Sequence, residues 1–265
     1  MKLPTFYIPH GGGPCFFIDT PPIGGPQWDA LAGWLRSMVT DLPERPKAVL
    51  VVSAHWEEPV PTVLSSAKPP LLYDYYGFPD HTYALSWPAV GATSVASRVQ
   101  QLLGAAGIDH GSSDERGLDH GVFIPLLLSL PEADIPTTQL SLKAGLDARQ
   151  HLAIGRALEP LREEGVLIVG SGMSYHNMRG FMNPASLQHS EQFDKWMTDA
   201  VGKPQTERED QLRHWLAAPM ARAVHPREEH LLPLMVCAGA AGADAGQRVF
   251  SDVVMGVRLS SVRFG

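Results

Sequence analysis

Three apolar segments of this 265-residue chain each run out into a histidine within a turn of small residues: Phe6-Tyr7-Ile8-Pro9-His10-Gly11, Val49-Leu50-Val51-Val52-Ser53-Ala54-His55, and Val166-Leu167-Ile168-Val169-Gly170-Ser171-Gly172-Met173-Ser174-Tyr175-His176. Short β-branched runs bounded by Gly and Pro read as buried strands. Open α/β sheets place their ligands in the crevice at the carboxyl ends of such strands. The three imidazoles are therefore expected to converge, and converging imidazoles point to one metal site.

The rest of the chain alternates in the same α/β rhythm. Strands are expected near Thr5 to Ile8, Ala48 to Ser53, Thr62 to Ser65, Thr137 to Leu142 and Val166 to Val169. Helices are expected near Trp28 to Asp41, Thr93 to Ala106 and Ala148 to Glu163, the last opened by Asp147. Val122 to Leu130 is so uniformly apolar that its period does not decide its type. Three stretches in the later third, Gln188 to Val201, Glu207 to Ala217 and Glu228 to Ala241, have helical character, and Val249 to Val254 with Gly256 to Arg263 reads as a closing hairpin. No linker, repeat or low-complexity tract interrupts the chain, so residues 1–265 are expected to form one α/β domain.

Composition narrows the function. An apolar content of 44% fills a substantial core, and a formal charge of -7 argues against a nucleic-acid groove, which needs clustered Lys and Arg. Small-molecule partners fit better. Two cysteines far apart, Cys15 and Cys237, make no disulfide framework, and a reducing compartment is the simpler home. No segment reaches the ~18 apolar residues of a membrane span, and Met1-Lys2-Leu3 passes at once into Pro4 and a strand without the apolar region of a signal peptide. A cytoplasmic protein without a membrane partner is expected; a homo-oligomer is compatible with the sequence.

Eleven histidines are an enrichment, and their neighbourhoods sort them. His10 precedes Gly11-Gly12-Gly13-Pro14, whose backbone freedom suits close approach of a ligand; the bland alternative is a glycine turn beside an exposed ring. His55 ends the most apolar strand, where an unpaired imidazole is costly unless it binds metal or a partner; a satisfied core histidine is the alternative. His176 follows a turn of small residues, with Asn177 beside it as a candidate orienting group. His120 lies in Gly117-Leu118-Asp119-His120-Gly121, where Asp119 is a candidate for fixing its tautomer. His230 follows Glu228 and Glu229 at the head of an apolar helix, and spacing alone does not choose a ligand among these three. His81 sits in an aromatic loop, Tyr73-Asp74-Tyr75-Tyr76-Gly77-Phe78-Pro79-Asp80-His81, that reads as a substrate-pocket wall or a packed lid. His110, His151, His189 and His214 read as solvated surface, and His225 stays undecided. None of the usual contiguous metal motifs is present, so the site has to be assembled from distant segments.

Taken together, His10-Gly-Gly-Gly-Pro, Ser53-Ala54-His55-Trp56, Tyr73 to Pro79, Gly117 to Gly121, Gly172-Met173-Ser174-Tyr175-His176-Asn177 and His225 to Leu234 resemble the class III extradiol ring-cleaving dioxygenases, in their DOPA 4,5-dioxygenase-like branch. Six separated motifs occur in the family's order between residue 5 and about 240. The resemblance implies a central mixed sheet flanked by helices and a mononuclear non-haem Fe(II) site. It also implies a small catechol and O2 as reactants, with the ring opened next to, rather than between, the two hydroxyls. By the same resemblance His10 and His55 match the first two metal ligands and His230 the last, with Glu229 competing because some relatives use a glutamate in that region. His176 matches a metal ligand in the DOPA-like branch and an active-site base in the protocatechuate-cleaving branch, so it is a candidate for either role, and His120 matches a pocket residue that contacts substrate or dioxygen. His120 and His176 are thus the candidate catalytic groups.

Three protein ligands on an octahedral ion leave positions for both reactants, whereas a closed four-ligand cage leaves too few. Nitrogen ligands also hold Zn(II) more tightly than Fe(II), so zinc is a competing occupant. Two other classes use the same residues: a zinc hydrolase with a metal-bound water, and a non-enzymatic binding protein on the same scaffold. Arg227, Lys143 and Arg179 are candidate anchors for a carboxylated substrate.

Overall fold

The structure, a computed structural model, describes residues 2–265. Its strands are β1 (Thr5–Pro9), β2 (Ala48–Glu58), β3 (Thr62–Leu64), β4 (Gly111–Ser113), β5 (Thr137–Lys143), β6 (Val166–Gly172), β7 (Gly246–Val254) and β8 (Val257–Phe264). They form one mixed sheet in the order β4-β3-β5-β2-β6-β1-β8-β7. The four central strands β5, β2, β6 and β1 are mutually parallel, with antiparallel pairs β3–β5, β1–β8 and β7–β8 toward the edges. Every residue of β1 and β6 is buried, as expected where helices cover both faces of a parallel core.

The order matters for function because β2, β6 and β1 are neighbours. Their carboxyl ends, which lead to His55, His176 and His10, open side by side on one edge of the sheet. Strand β2 extends beyond its expected end at Ser53 to Glu58. Its pairing with β5 shifts register between Val52 and Glu57, and His55 rides in that irregular stretch. Such a bulge re-aims a side chain beside a functional cleft.

The helices are α1 (Asp29–Met38), α2 (Thr93–Ala105), α3 (His120–Ser129), α4 (Ala148–Leu158), α5 (Pro160–Glu163), α6 (Pro184–Val201), α7 (Gln205–Arg213), α8 (Ala221–Val224) and α9 (Leu232–Ala240). The apolar run at 122–130 is helical: α3 packs against α1, β2 and β6, and burial of nearly every residue explains why it shows no polar face. The expected single helix at 148–163 is divided because Pro160 cannot continue the α4 hydrogen-bond ladder. Asp147 caps α4 as anticipated, accepting from the Gln150 amide at 2.9 Å. The helix expected from Glu228 begins only at Leu232, and Glu228 to Leu231 form a turn that carries His230. No helix among the described residues is long and apolar enough to cross a membrane.

Candidate metal centre and active site

His10 leaves β1 at once into a glycine turn in which Gly11 and Gly13 have φ of +85° and +55°, values that side-chain-bearing residues adopt at a cost. The ring of His10 turns inward and is buried. His230 is held from behind: its carbonyl accepts from the Tyr7 hydroxyl at 2.7 Å and from the Met173 amide at 3.1 Å. A Cβ at Gly172 would lie 2.1 Å from that carbonyl, so the close approach of the 228–231 turn to β6 requires glycine there.

These supports bring three imidazoles together. His55 Nε2 lies 3.0 Å from His10 Nε2 and 3.3 Å from His230 Nε2. The far sides of the rings decide what these contacts mean. Ser171 donates its hydroxyl proton to the Gly121 carbonyl, so its oxygen accepts from His10 Nδ1–H at 3.1 Å and leaves His10 Nε2 as a bare lone pair. The carboxylate of Glu229 likewise accepts from His230 Nδ1–H at 3.0 Å. A proton on His55 Nε2 could point at only one of its two neighbours, so at least one lone pair is left without a donor unless a cation lies between the rings. Burial, followed by the neighbouring imidazoles, holds His10 and His230 well below the usual histidine range. The same causes push His55 down to about 3. All three are neutral donors at pH 7. Three nitrogens about 2.1 Å from one ion stand about 3.0 Å apart at right angles and about 3.4 Å apart in a tetrahedron, so the observed spacing fits a metal ion.

The Gly121 carbonyl is available for a reason written in the sequence. In an uninterrupted helix it would accept from residue 125, but that residue is Pro125, which has no N–H. The missing donor on α3 thus sets the tautomer of His10 through Ser171.

His120 opens α3 at the cavity wall. Its Nδ1–H and its backbone amide both donate to Asp74 Oδ1, at 2.8 and 2.9 Å, which leaves Nε2 as the acceptor. Burial opposes the charge on Asp74, but the hydrogen bonds and charge of His120 outweigh it and hold the carboxyl below its usual range. The expectation that Asp119 fixes this tautomer is corrected. Asp119 turns away and is held by Ser53 at 2.7 Å, by Gln139, and by Arg116 at 3.1 Å. Arg116 also donates to the His55 carbonyl at 3.0 Å, so this buried network braces the His55 segment instead.

His176 stacks on His230 with ring centroids 3.3 Å apart and donates from Nδ1 to the same Glu229 oxygen at 3.0 Å. Asn177 does not orient it; its amide goes to the Ala223 carbonyl. Burial opposes the charge on Glu229, but the hydrogen bond and charge of His176, a backbone hydrogen bond and the nearby Arg227 together outweigh it and hold the carboxyl below the ordinary glutamate range. Glu229 therefore lies behind the rings of His176 and His230, whereas His10, His55 and His230 form the group whose nitrogens face one another.

These five histidines line a cavity of about 290 Å³, with walls that include Ile23, Trp28, Phe78, Met178, Phe181 and Met255. His81 is exposed and donates to the Phe17 carbonyl at 2.8 Å, so it ties the aromatic loop down rather than facing the cavity. Nor do the candidate anchors line it. Arg227 is engaged by Glu57 through two contacts of 2.6 Å, and the Lys143 ammonium reaches the Ala144 carbonyl at 3.5 Å. His151, expected at the surface, is buried: its Nε2 accepts from the Lys143 amide at 3.1 Å and its Nδ1 donates to the Asp147 carbonyl. His225 is buried without a hydrogen-bond partner on either ring nitrogen, against Phe193 and Trp215. Sequence reasoning did not single out Asp74, Ser171 or the apolar wall beyond Phe78 of the aromatic loop. Asp74 is the sole acidic residue of the Tyr73–Pro79 aromatic segment, and that isolation among aromatic rings is the signal that marks it.

Fold and site together define a mixed α/β sheet whose parallel strands carry a histidine-lined cavity at their carboxyl ends. The chain belongs to the family described as the catalytic LigB subunit of aromatic ring-opening dioxygenases, whose profile matches residues 4–261. It is 37% identical to the dioxygenase tasH of Hapsidospora irregularis, over 99% of this chain and 85% of that one. It is also 38% identical to a 4,5-DOPA dioxygenase extradiol of Beta vulgaris, over 91% and 88% of the two chains. The corresponding enzyme of Portulaca grandiflora is 39% identical, over 90% and 86%. The crystal structure of an uncharacterized Escherichia coli K12 protein superposes with a TM-score of 0.79 at 27% identity over the whole of both chains.

Proposed function

We propose that this chain is an extradiol dioxygenase that opens a catechol ring with O2, and that its active metal is Fe(II). The observation that carries the reading is the convergence of His10, His55 and His230 through Nε2 atoms, two of which are left unprotonated by their hydrogen bonds on the far side. These three residues would hold the ion, which when bound supplies a common binding point for catecholate and dioxygen and a path for electrons between them. Both atoms of dioxygen enter the product, so the reaction needs no further reductant.

The chain's own residues then handle protons and exclude water. His120, with Nδ1–H committed to Asp74, presents Nε2 as a base for a catechol hydroxyl and returns that proton as the ring opens. His176, held by Glu229 on the opposite side, is the second proton carrier rather than a fourth ligand. An ionised Asp74 stabilises the imidazolium that forms on His120, as a carboxylate does for a catalytic histidine. The apolar walls keep bulk water from the reacting carbons.

The test is oxygen uptake by protein loaded anaerobically with Fe(II), challenged with a panel of catechols while the visible spectrum is scanned for a coloured ring-fission product. Stoichiometric uptake with such a product is expected. Fe(II)-loaded protein that consumes no oxygen with any catechol would sink the proposal. Protein purified without added iron is expected to carry zinc and be inert toward oxygen, because imidazole donors prefer zinc in the general affinity order.

A further inference from the structure

The cavity that receives the substrate is polar only at its floor. Above the histidines the wall is made by Ile23, Trp28, Phe78, Met178, Phe181 and Met255, and among the described residues no Lys, Arg, Asp or Glu lines it. The apolar surface continues to the mouth, where Ile23 is 42% and Met178 69% exposed. The cations around the site have other commitments. Arg116 lies on Asp119 and over the Trp56 ring, and Arg227 is forked onto Glu57. Two carboxylates, Asp74 and Glu229, sit behind the histidines and offset the charge of a divalent ion at the floor. A substrate bearing its own carboxylate would find no cation on that wall, and a carboxylate held against it unpaired is costly. A thioether wall, by contrast, adapts its shape to alkyl and aryl groups and attracts aromatic edges.

Resting on the dioxygenase reading above, the geometry points to a catechol whose ring substituent is uncharged and apolar, an alkyl chain or a second aromatic ring, as the substrate class of this chain. The dihydroxy edge goes to the histidine floor, and the substituent lies along Phe181 and Met178 toward the mouth. This sets the chain apart from those relatives whose printed names specify DOPA, an amino acid. Among the described residues near the mouth, Arg179 is a cation without a commitment of this kind, exposed and next to Met178 but not part of the wall.

The experiment compares 4-butylcatechol and 4-phenylcatechol with DOPA and 3,4-dihydroxyphenylacetate. Oxygen uptake by the Fe(II)-loaded protein is expected to favour the apolar pair by at least about tenfold in kcat/KM, carried mainly by KM. Phe181→Ala should raise KM for 4-butylcatechol about tenfold while leaving that for unsubstituted catechol within about twofold. Met178→Ala, at an exposed position, gives the same contrast in weaker form should the Phe181 variant not fold. Arg179→Ala should leave the substrate ranking unchanged. Preference for the carboxylated pair, abolished by Arg179→Ala, would overturn the assignment. Anaerobic calorimetric titration of the Zn(II)-loaded protein with the same compounds separates the two proposals. Tighter binding of the apolar pair without any oxygen uptake on iron loading would preserve the ligand class and sink the dioxygenase reading. Equal or tighter binding of the carboxylates would overturn the ligand class whatever the turnover.

Discussion

The floor and the rim of the cavity are built on opposite principles. On the floor, four of the five histidines have a ring nitrogen tied down by a side chain, three of them by one distant in the chain: Ser171 for His10, Asp74 for His120 and Glu229 for His176, with Glu229 also holding its neighbour His230. At the rim, Met178 and Ile23 stand half out in solvent, and Met182 meets the hairpin turn at Met255 through one backbone hydrogen bond of 2.7 Å. Side-chain hydrogen bonds are concentrated where the proposed chemistry would place an ion and a proton, and flexible thioethers stand where only an apolar surface would be needed.

Breaking the floor should have the largest effect. His55→Ala is expected to remove most bound metal, measured by elemental analysis after dialysis. His120→Ala should keep its metal and lose about 10²- to 10⁴-fold in kcat, the usual worth of a positioned acid–base group. Equal metal loss in both variants would refute the division of labour between them. One layer back, Ser171→Ala releases His10 from its fixed tautomer and is expected to weaken metal binding by about 10- to 100-fold, as loss of a partner behind a ligating histidine does. Pro125→Ala supplies an N–H that competes for the Gly121 carbonyl, and competition titration with a chelator should show a smaller shift in the same direction. Changes at the rim should reverse the pattern: Met178→Ala leaves metal affinity unaltered and moves only substrate preference.

Histidines buried away from the cavity give a separate contrast through pH. Burial pushes His151 down to about 4 and His225 down to about 3, so the folded chain refuses protons that the unfolded chain accepts near pH 6.5. Stability therefore falls as pH falls from 6.5 toward 4, by about 1.4 kcal/mol per pH unit for each residue. Urea midpoints at pH 7, 6 and 5 should show a shallower decline for His225→Phe than for the parent; an unchanged slope would remove His225 from the account.

The same division explains what was legible from sequence. Strands β1, β2 and β6 were readable because apolar β-branched runs have few other uses, and their terminal histidines stood out against them. The type of α3 was not readable, because a helix buried on all sides carries no amphipathic period. Strand β4, Gly-Ser-Ser, has no apolar signature, and only pairing with β3 makes it a strand. His151 was misplaced by its polar neighbours, although Ala148, Leu152, Gly155 and Leu158 lie at helical spacing around it and mark the buried face of α4. The rim was invisible for a deeper reason. Ile23, Met178 and Met255 come from three unrelated turns and share no pattern, since nothing but apolar bulk is required of them.

The hairpin between β7 and β8 ends near the chain terminus, yet its turn at Met255 closes the same cavity that His10 opens at the start. That turn holds none of the residues proposed as ligands or proton carriers, so on the proposed reading changes to it would fall on the substrate wall and not on the metal floor. One end of the chain would thus shape what enters the cavity while the other supplies what acts on it.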